Sequence, residues 1–236
     1  MEIVGKSFFG RPNCGLVCIH MSGIQIFNTS GALVIDSNYK GTYFRDSKDY
    51  TSITDIGYYD IKCNLGNSSD MGFVSGSFPD DDNLIWFKPN ENARFFATGP
   101  SWMTSNAGRA ARTHSGMPVE SGYRDIFNSS GELIWSAVMA AKIPRIIGFY
   151  DIPPNFDLDN TVFSQSMGSN AWILLSACPS GNISDDGSVT GYSGLYFKYS
   201  GGALQCQWVN KFQKNWSSSL KPYGLRIPFG ILPNLS

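Results

Sequence analysis

The sequence predicts an all-β protein built as two tandem antiparallel β-sandwich-like domains with little helix. Three observations carry this prediction: a hairpin pattern that occurs twice, a later stretch with two-residue alternation, and the overall composition. Aromatic residues make up 14% of the chain, charged residues only 16%, and there are 25 glycines among 236 residues. A surface made mainly of Ser, Asn, Thr and Gly is typical of a rigid β protein and not of a helical enzyme.

The hairpin pattern covers residues 23–37 and returns at residues 122–136. Phe27 aligns with Phe127, 100 positions later, and the neighbouring Asn, Ser, Gly and Leu residues align at the same spacing. In each copy a β-rich apolar run enters a four-residue turn and leaves it into another apolar run, which is the pattern of a β-hairpin. The chain therefore contains a candidate internal repeat.

The turn residues explain why each copy should reverse direction. Asn28 and Asn128 stand at the start of the two turns, where the side-chain oxygen can bond to the turn backbone. Gly31 and Gly131 stand at the end, where glycine adopts a positive φ without a clash of Cβ. Further echoes extend the repeat; in chain order the paired stretches are 56–61 with 147–152, 84–87 with 172–175, and 93–97 with 195–199.

The repeat sets the predicted domain organisation. Residues 1–20 have no counterpart in the second copy and are predicted to be an N-terminal extension that serves as a docking arm. Residues 21–116 form the first β domain, and residues 117–236 form the second, a repeat of the first. Met21 could itself begin a complete protein.

Other stretches are assigned by their turn and strand signals. Residues 89–92 are predicted to join two strands as a hairpin, and residues 200–202 join the two arms of a clearer hairpin with period-two alternation. Residues 99–118, poor in large apolar side chains, are predicted to be a linker or an exposed loop. The one helical window, residues 133–141, is explained equally well by a buried strand.

Bulk charge and hydropathy exclude several classes of function. The formal net charge of −1 and the pI near 6.1 give no long-range attraction for nucleic acid, so no nucleic-acid partner is predicted. No stretch reaches the roughly 20 apolar residues of a membrane helix. The N-terminus lacks a signal-peptide pattern. We therefore expect no membrane span and synthesis in the cytoplasm.

The supply of catalytic groups is thin, and the sequence predicts neither an enzyme nor a cofactor. His20 and His114 are the only histidines, and no nucleophile elbow or phosphate-binding loop occurs. Weaker alternatives remain open. Cys14, Cys18 and His20 could bind zinc, but a fourth ligand is lacking. Asp80–Asp82, or Asp185 and Asp186, could bind calcium, although capping of turns is the simpler explanation. Arg109, Arg112 and His114 could bind an anion, although a solvated loop also explains them.

Aromatic residues in turn-rich stretches are the predicted receptor or partner surface. Trp102, Tyr192 and Trp216 lie among Ser, Asn and Gly, a mixture used by surfaces that stack on sugars or bind proteins. Asp185 and Asp186 belong to a long polar loop over residues 179–193 and are included in the same predicted surface.

The first hairpin resembles a known pattern. Residues 21–37, followed by an aromatic strand, are similar to the start of small proteins encoded in the tail modules of tailed bacteriophages, with the second copy a fainter match. The resemblance implies a tail-tip or tail-fibre component of a virion and transfers no active-site residue. Two features depart from the pattern: residues 1–20 precede the usual start, and the unit is repeated.

The expected function is that of a structural virion protein at the distal tail that assists host attachment. Its expected partners are other phage tail proteins, further copies of itself in a trimer, and a bacterial surface receptor or glycan. The alternative is a carbohydrate-binding β-sandwich module of an adhesin or lectin. A third hypothesis, a hydrolase of cell-wall or capsule polysaccharide, would need paired carboxylates among Asp80–Asp82, Asp185 and Asp186.

Overall fold

The computed structural model describes residues 2–5, 24–27, 33–36, 40–56, 61–66, 71–74, 78, 82–96, 102–179, 181–185 and 190–235. In the described part the strands are β1 Glu2–Gly5, β2 Ile24–Phe27, β3 Leu33–Asp36, β4 Tyr43–Tyr50, β5 Ile53–Ile56, β6 Met71–Val74, β7 Leu84–Pro89, β8 Arg94–Phe96, β9 Trp102–Thr104, β10 Gly108–His114, β11 Asp125–Phe127, β12 Leu133–Ser136, β13 Arg145–Ile152, β14 Phe163–Ser166, β15 Trp172–Leu174, β16 Asn182–Asp185, β17 Thr190–Ser200, β18 Ala203–Lys211 and β19 Leu225–Ile231. Short 3-10 helices span Ala137–Lys142, Leu175–Ala177 and Pro233–Leu235. The predicted all-β class with little helix is confirmed.

The chain divides into two compact units, each assembled from two separate stretches. The hairpin unit comprises Met1–Tyr43 and Ser115–Ile143, and the sandwich unit comprises Phe44–His114 and Pro144–Ser236. Both copies of the duplicated hairpin therefore belong to the same unit, although about 100 positions separate them.

The hairpin unit contains a three-stranded sheet, in the order β1-β2-β3, and a two-stranded sheet, β11-β12. Its two hairpins pair in one register and break it at the same place. In each hairpin, two consecutive residue pairs are followed by a bulge on the second strand and then by a third pair. The pairs of the first hairpin are Gln25 with Asp36, Ile26 with Ile35 and, after the bulge, Phe27 with Leu33. Those of the second are Asp125 with Ser136, Ile126 with Trp135 and, after the bulge, Phe127 with Leu133. The sequence repeat is thus also a repeat of backbone pairing.

The sandwich unit contains a six-stranded sheet, in the order β13-β19-β15-β7-β10-β4, and an eight-stranded sheet, in the order β14-β18-β17-β8-β9-β6-β5, with β16 on β17. Their shared core holds Phe87 and Tyr150 from the first sheet together with Phe95, Phe197 and Leu195 from the second. Burial of these apolar faces is the main stabilising contribution to such a sandwich.

The strand orders show that the two halves of the chain are interleaved about a pseudo-two-fold axis. In the six-stranded sheet, β13, β19 and β15 mirror β4, β10 and β7, and in the eight-stranded sheet β14, β18 and β17 mirror β6, β9 and β8. At the centre of each sheet, equivalent strands pair antiparallel with one another: Trp86 lies opposite Leu174, and Phe95 opposite Phe197. The repeated stretches found in the sequence, 84–87 with 172–175 and 93–97 with 195–199, align the same residues.

An ion pair repeats with the strands. The Arg109 Nε atom lies 3.3 Å from Asp49 Oδ1, and the Arg226 Nε atom lies 3.2 Å from Asp151 Oδ1. In both halves the arginine is the second residue of its strand and the aspartate is the last but one of the neighbouring edge strand. The two halves thus share an ion pair that their overall sequences do not reveal.

Interleaving explains why the compact units differ from the predicted division at residues 116 and 117. That position separates the two repeats along the chain, but every sheet of the sandwich unit joins strands from both sides of it. A half-sheet from one repeat would leave β7 and β8 as unpaired edges. The repeats therefore share one sandwich.

Several local predictions change for the same reason. Residues 89–92 do not close a hairpin, because β7 lies in one sheet and β8 in the other. Residues 99–118 are not a linker, because they contain β9 and β10. Residues 147–152 lie in β13 and occupy the place of β4, whereas Ile56 lies in β5. The hairpin at residues 200–202 is confirmed, with Ser200 opposite Ala203 and positive φ at Gly201 and Gly202.

The prediction of a linker or exposed loop was wrong for β10 because this strand is built from small side chains. Ala110 and Ala111 are fully buried, Ala110 in the core that contains Phe87 and Ala111 beside Trp86. The large neighbouring rings fill the space, so this strand must be made of small residues. Arg112 is buried as well, and its guanidinium binds both carboxylate oxygens of Asp46, at 2.8 and 2.5 Å. It is therefore no solvated loop residue.

Candidate interaction surfaces

The turn of the second hairpin is organised by one asparagine. The Asn128 Oδ1 atom accepts hydrogen bonds from the backbone N–H of Ser130 at 3.1 Å and of Glu132 at 2.9 Å, and from the Ser130 hydroxyl at 2.7 Å. Gly131 adopts φ +80°, and its N–H donates to the Asn128 carbonyl at 3.0 Å. Local hydrogen bonds thus fix the shape of the turn. Its counterparts Asn28 and Gly31 lie outside the described residues.

The second hairpin exposes apolar side chains. Tyr123 is 83% exposed and Phe127 53%, and Val138 in the following 3-10 helix is 50% exposed. The Arg124 guanidinium lies 5.5 Å from the centre of the Tyr123 ring. Exposed aromatic and aliphatic groups on a small rigid hairpin are typical of a protein-binding surface. We name Tyr123, Phe127 and Val138 the hairpin surface.

The start of this hairpin is fixed by a carboxylate. Asp125 accepts hydrogen bonds from the Ser121 hydroxyl at 2.5 Å and from the Gly122 backbone N–H at 3.0 Å. The hydrogen bond from Ser121 and then the nearby Ser136 hydroxyl and the Gly122 backbone N–H lower the pKa of Asp125. Its charge is therefore directed into the loop that precedes the strand.

Elsewhere in the hairpin unit, Tyr43 is fully buried and its hydroxyl donates to the Ile134 carbonyl at 2.7 Å. Burial raises the pKa of Tyr43 to about 12. The bond joins the first strand after hairpin one to the second arm of hairpin two.

A second rigid surface is the loop over residues 212–224 in the sandwich unit. Asp159 accepts the backbone N–H of Trp216 at 2.7 Å and of Ser217 at 2.9 Å. The Trp216 indole N–H donates to the Phe156 carbonyl at 2.8 Å, and the Trp208 indole N–H donates to the Lys214 carbonyl at 3.0 Å. Two buried tryptophans and one carboxylate therefore hold the loop.

This loop carries two exposed rings, Phe212 at 77% and Tyr223 at 79% exposure. Phe212 has φ +59°, a left-handed conformation that is uncommon for a bulky side chain. Such strain persists only where the surrounding contacts impose it, and it is concentrated at functional sites. Neither ring belongs to the receptor surface that the sequence predicted, although both lie in turn-rich surroundings. We name this pair the aromatic loop surface.

The residues predicted as a receptor surface lie elsewhere. Trp216 is fully buried and Tyr192 is 4% exposed, because Trp216 anchors its loop and Tyr192 packs on Phe96 at 6.4 Å between ring centres. The backbone of Trp102 pairs with Phe73 and Phe96 in the eight-stranded sheet, and its side chain lies outside the described residues. Asp185 ends β16 opposite Thr190, and Asp186 lies outside the described residues. These five residues do not form a described cluster.

The predicted metal alternatives fall largely beyond the described part of the chain. Cys14, Cys18, His20, Asp80 and Asp81 all lie outside it. Within the described ranges, no three His, Cys, Asp or Glu side chains come together as a metal-binding group. No described helix is long and apolar enough to span a membrane.

Three thiols lie among the described residues, those of Cys63, Cys178 and Cys206, and the last two belong to or pack against the sandwich core. Burial raises the pKa of Cys178 to about 12 and raises the pKa of Cys206 as well. Both groups therefore stay protonated at neutral pH. A thiol in this state is a poor nucleophile.

Comparison with protein-family models assigns the chain to a family. A family model described as a domain of unknown function, DUF8377, matches residues 21–233. The chain belongs to the DUF8377 family. The DUF8377 match begins at Met21, just before the first hairpin, and it includes both hairpins and both halves of the sandwich. No curated protein and no solved structure matches the chain.

Proposed function

We propose that this DUF8377 chain is a structural component of a tailed-phage virion, located at the distal tail, that assists attachment to the host. The observation that carries the proposal is the duplicated hairpin. Its first copy resembles the start of phage tail proteins over residues 21–37, and its second copy repeats the register and the bulge of the first. A module retained twice in one compact unit, with Phe127 and Tyr123 exposed, supports a role in assembly.

The two units have different roles in this proposal. The hairpin unit docks on neighbouring tail proteins through the hairpin surface, since exposed apolar groups on a rigid element lose little conformational entropy on binding. The sandwich unit projects towards the bacterial surface. Its aromatic loop surface contacts the receptor together with residues 179–193, which hold β16 and the start of β17 where the sequence predicted a polar loop. Self-assembly as a trimer and cytoplasmic synthesis before lysis complete the proposal.

The decisive experiment is quantitative mass spectrometry of purified virions from the phage or prophage that encodes the chain. We expect the chain in the particle at a few copies, in a fixed ratio to known tail proteins. Labelling by antibody in electron micrographs should place it at the distal end of the tail. Absence of the chain from intact infectious particles would overturn the proposal.

A carbohydrate-binding module is the second candidate, and the aromatic loop surface favours it. Phe212 and Tyr223 are exposed on a loop that buried residues hold in place, which is the arrangement that stacking on sugar rings requires. Binding of the isolated chain to host surface polysaccharide should fall at least about tenfold in Phe212→Ala and Tyr223→Ala, the loss of one stacking contact each.

A matched control is available for this test. Phe127→Ala removes an exposed ring of the hairpin unit and should leave polysaccharide binding unchanged. Binding that survives both loop substitutions would exclude the aromatic loop surface as the saccharide site.

A further inference from the structure

Among the described strands, none fills on the second hairpin the position that β1 fills on the first. In the three-stranded sheet, β1 pairs antiparallel with β2, placing Glu2 opposite Phe27 and Val4 opposite Gln25. The counterpart of β2 in the second hairpin is β11. Among the described strands, β11 is hydrogen-bonded to β12 alone.

The backbone of β11 directs its bonding groups to this open edge. The Arg124 carbonyl accepts from the Ala137 N–H at 2.8 Å, and the Asn128 N–H donates to the Glu132 carbonyl at 2.9 Å. Both bonds lie on the β12 side. Because bonding direction alternates along an antiparallel strand, the N–H and C=O groups of Asp125 and Phe127 point to the other side. These two residues match Gln25 and Phe27, which face β1.

The side chains around this edge do not protect it against pairing. Natural edge strands are commonly blunted by charges, proline or inward-facing ionic groups. The one charged residue of β11 is Asp125, and its carboxylate is bonded to Ser121 and Gly122 in the preceding loop. Phe127 and the adjoining Tyr123 are exposed. The edge therefore combines directed backbone groups with apolar side chains.

We propose that β11 accepts an extended segment of a neighbouring protein as an added antiparallel strand. The segment bonds through its main chain to Asp125 and Phe127 and places an apolar side chain opposite Ile126, as Ile3 lies opposite Ile26. Main-chain pairing supplies the affinity in this mode of recognition, and alternate side chains supply specificity.

The count of described strands excludes β1 of a second copy as the filler of both open positions, and we assign the edge to a different protein. Within the described ranges, each chain has one β1 and two strands of this kind that can accept it, β2 and β11. Exchange of β1 between identical chains would still leave one acceptor unfilled for every chain. The identity of the neighbour as a tail protein rests on the proposed function, whereas strand addition can be measured on the isolated chain.

The test uses a synthetic peptide with the sequence of residues 1–8 as the probe and the full chain as the receptor. The tethered β1 keeps its own place on β2 through its high effective concentration, so the added peptide meets β11. We expect one peptide bound for each chain. Amide hydrogen exchange should slow at Asp125 and Phe127 and stay unchanged at Arg124 and Ile126.

Two substitutions at one position separate backbone pairing from side-chain adhesion. Phe127→Ala keeps the outward N–H group and should retain binding within a few-fold. Phe127→Pro removes that donor and should weaken binding about tenfold or more. A scrambled peptide of the same composition is the control for non-specific adhesion.

Three results would overturn the inference. They are the absence of peptide binding to a folded full chain, protection of amides other than those of Asp125 and Phe127, and equal loss of binding in the Ala and Pro variants. Self-association of the chain that Phe127→Pro abolishes would assign the edge to a second copy and overturn the stated partner. None of these results changes the abundance of the chain in virions, so the two proposals fail separately.

Discussion

Equivalent positions in the two halves of the sandwich unit are filled by opposite chemistry. In the first half, Asp46 and Arg112 lie three residues from Asp49 and Arg109 of the repeated ion pair. The corresponding positions in the second half, three residues from Asp151 and Arg226, are Gly148 and Phe229. Asp46 and Arg112 form a two-pronged ion pair. Gly148 lies opposite Phe229, whose ring covers it so closely that an added Cβ would be 2.5 Å from Cζ.

The difference teaches that the two halves keep strand position even where their side-chain chemistry differs. Arg112 is 8% exposed and Phe229 is 7% exposed, so both are buried. A buried ion pair and a well-packed apolar group of similar size can contribute comparably to stability, since the Coulombic gain of the pair is offset by its desolvation. The two halves can therefore diverge in sequence while they keep a common backbone.

The largest effect is expected on the pseudo-two-fold axis. Phe95 and Phe197 are buried, lie opposite each other and stack with 5.1 Å between ring centres. Phe95→Ala and Phe197→Ala should each lower the free energy of unfolding by about 3 to 5 kcal/mol. Denaturant titration followed by tryptophan fluorescence measures this, because Trp86, Trp172, Trp208 and Trp216 are buried in the sandwich unit. A loss confined to one of the two variants would contradict a shared axis.

The ion pair of the first half should give the next largest effect. Asp46→Ala leaves the Arg112 guanidinium buried without its carboxylate, and we expect a loss of about 2 to 4 kcal/mol, moderated because Asp46 is partly exposed. The double change Asp46→Gly with Arg112→Phe installs the arrangement of the second half. It should recover at least half of the loss. A double variant less stable than Asp46→Ala would show that the two arrangements are not interchangeable.

Overpacking of the second half is the third test. Gly148→Ala introduces a methyl group against the Phe229 ring and should cost about 1 to 3 kcal/mol. Gly41→Ala is the matched control, because a Cβ there meets no atom within 4 Å. Adding Phe229→Leu to Gly148→Ala should relieve part of the cost. Equal stability of the Gly148 and Gly41 variants would contradict the close ring contact.

The repeated surface ion pair should give the smallest effect. Asp49→Asn and Asp151→Asn each remove one partner of a pair whose side chains are at least 42% exposed, so each should cost about 1 kcal/mol or less. The difference should shrink further in about 1 M salt, where screening is strong. A salt-independent loss of several kcal/mol at either site would show that the pair is not solvent-screened.

The sequence predicted elements whose cause is local. The turns at residues 128–131 and 200–202 depend on Asn and Gly in short windows, and a short window is enough to recognise them. The β class follows from composition and alternation. In contrast, residues 89–92 have the sequence of a hairpin turn, but the chain there crosses from one sheet to the other. The crossing connection needs the same turn residues, because Asn92 adopts φ +63° in it. Sheet membership is decided by distant strands.

The interaction surfaces were harder to predict because exposure is a tertiary property. Trp216 and Phe212 lie four residues apart in the same Ser- and Asn-rich stretch, yet one is fully buried and the other is 77% exposed. What separates them is Asp159, which binds the Trp216 and Ser217 amides from more than 50 positions away. No feature of the stretch itself reveals that contact. The open edge of β11, likewise, becomes visible only beside the pairing of β1 with β2.

Interleaving of the repeats also sets an order of events during synthesis. When β7 and β8 leave the ribosome, the strands that pair with them across the axis, β15 and β17, have not been made. At the usual rate of about 5 to 20 residues per second, the first half of the sandwich waits several seconds for its partners. Pairing between distant strands is in addition intrinsically slow. The nascent first half must therefore stay unaggregated with two incomplete sheets, and the polar, Ser- and Asn-rich composition of the chain suits that interval.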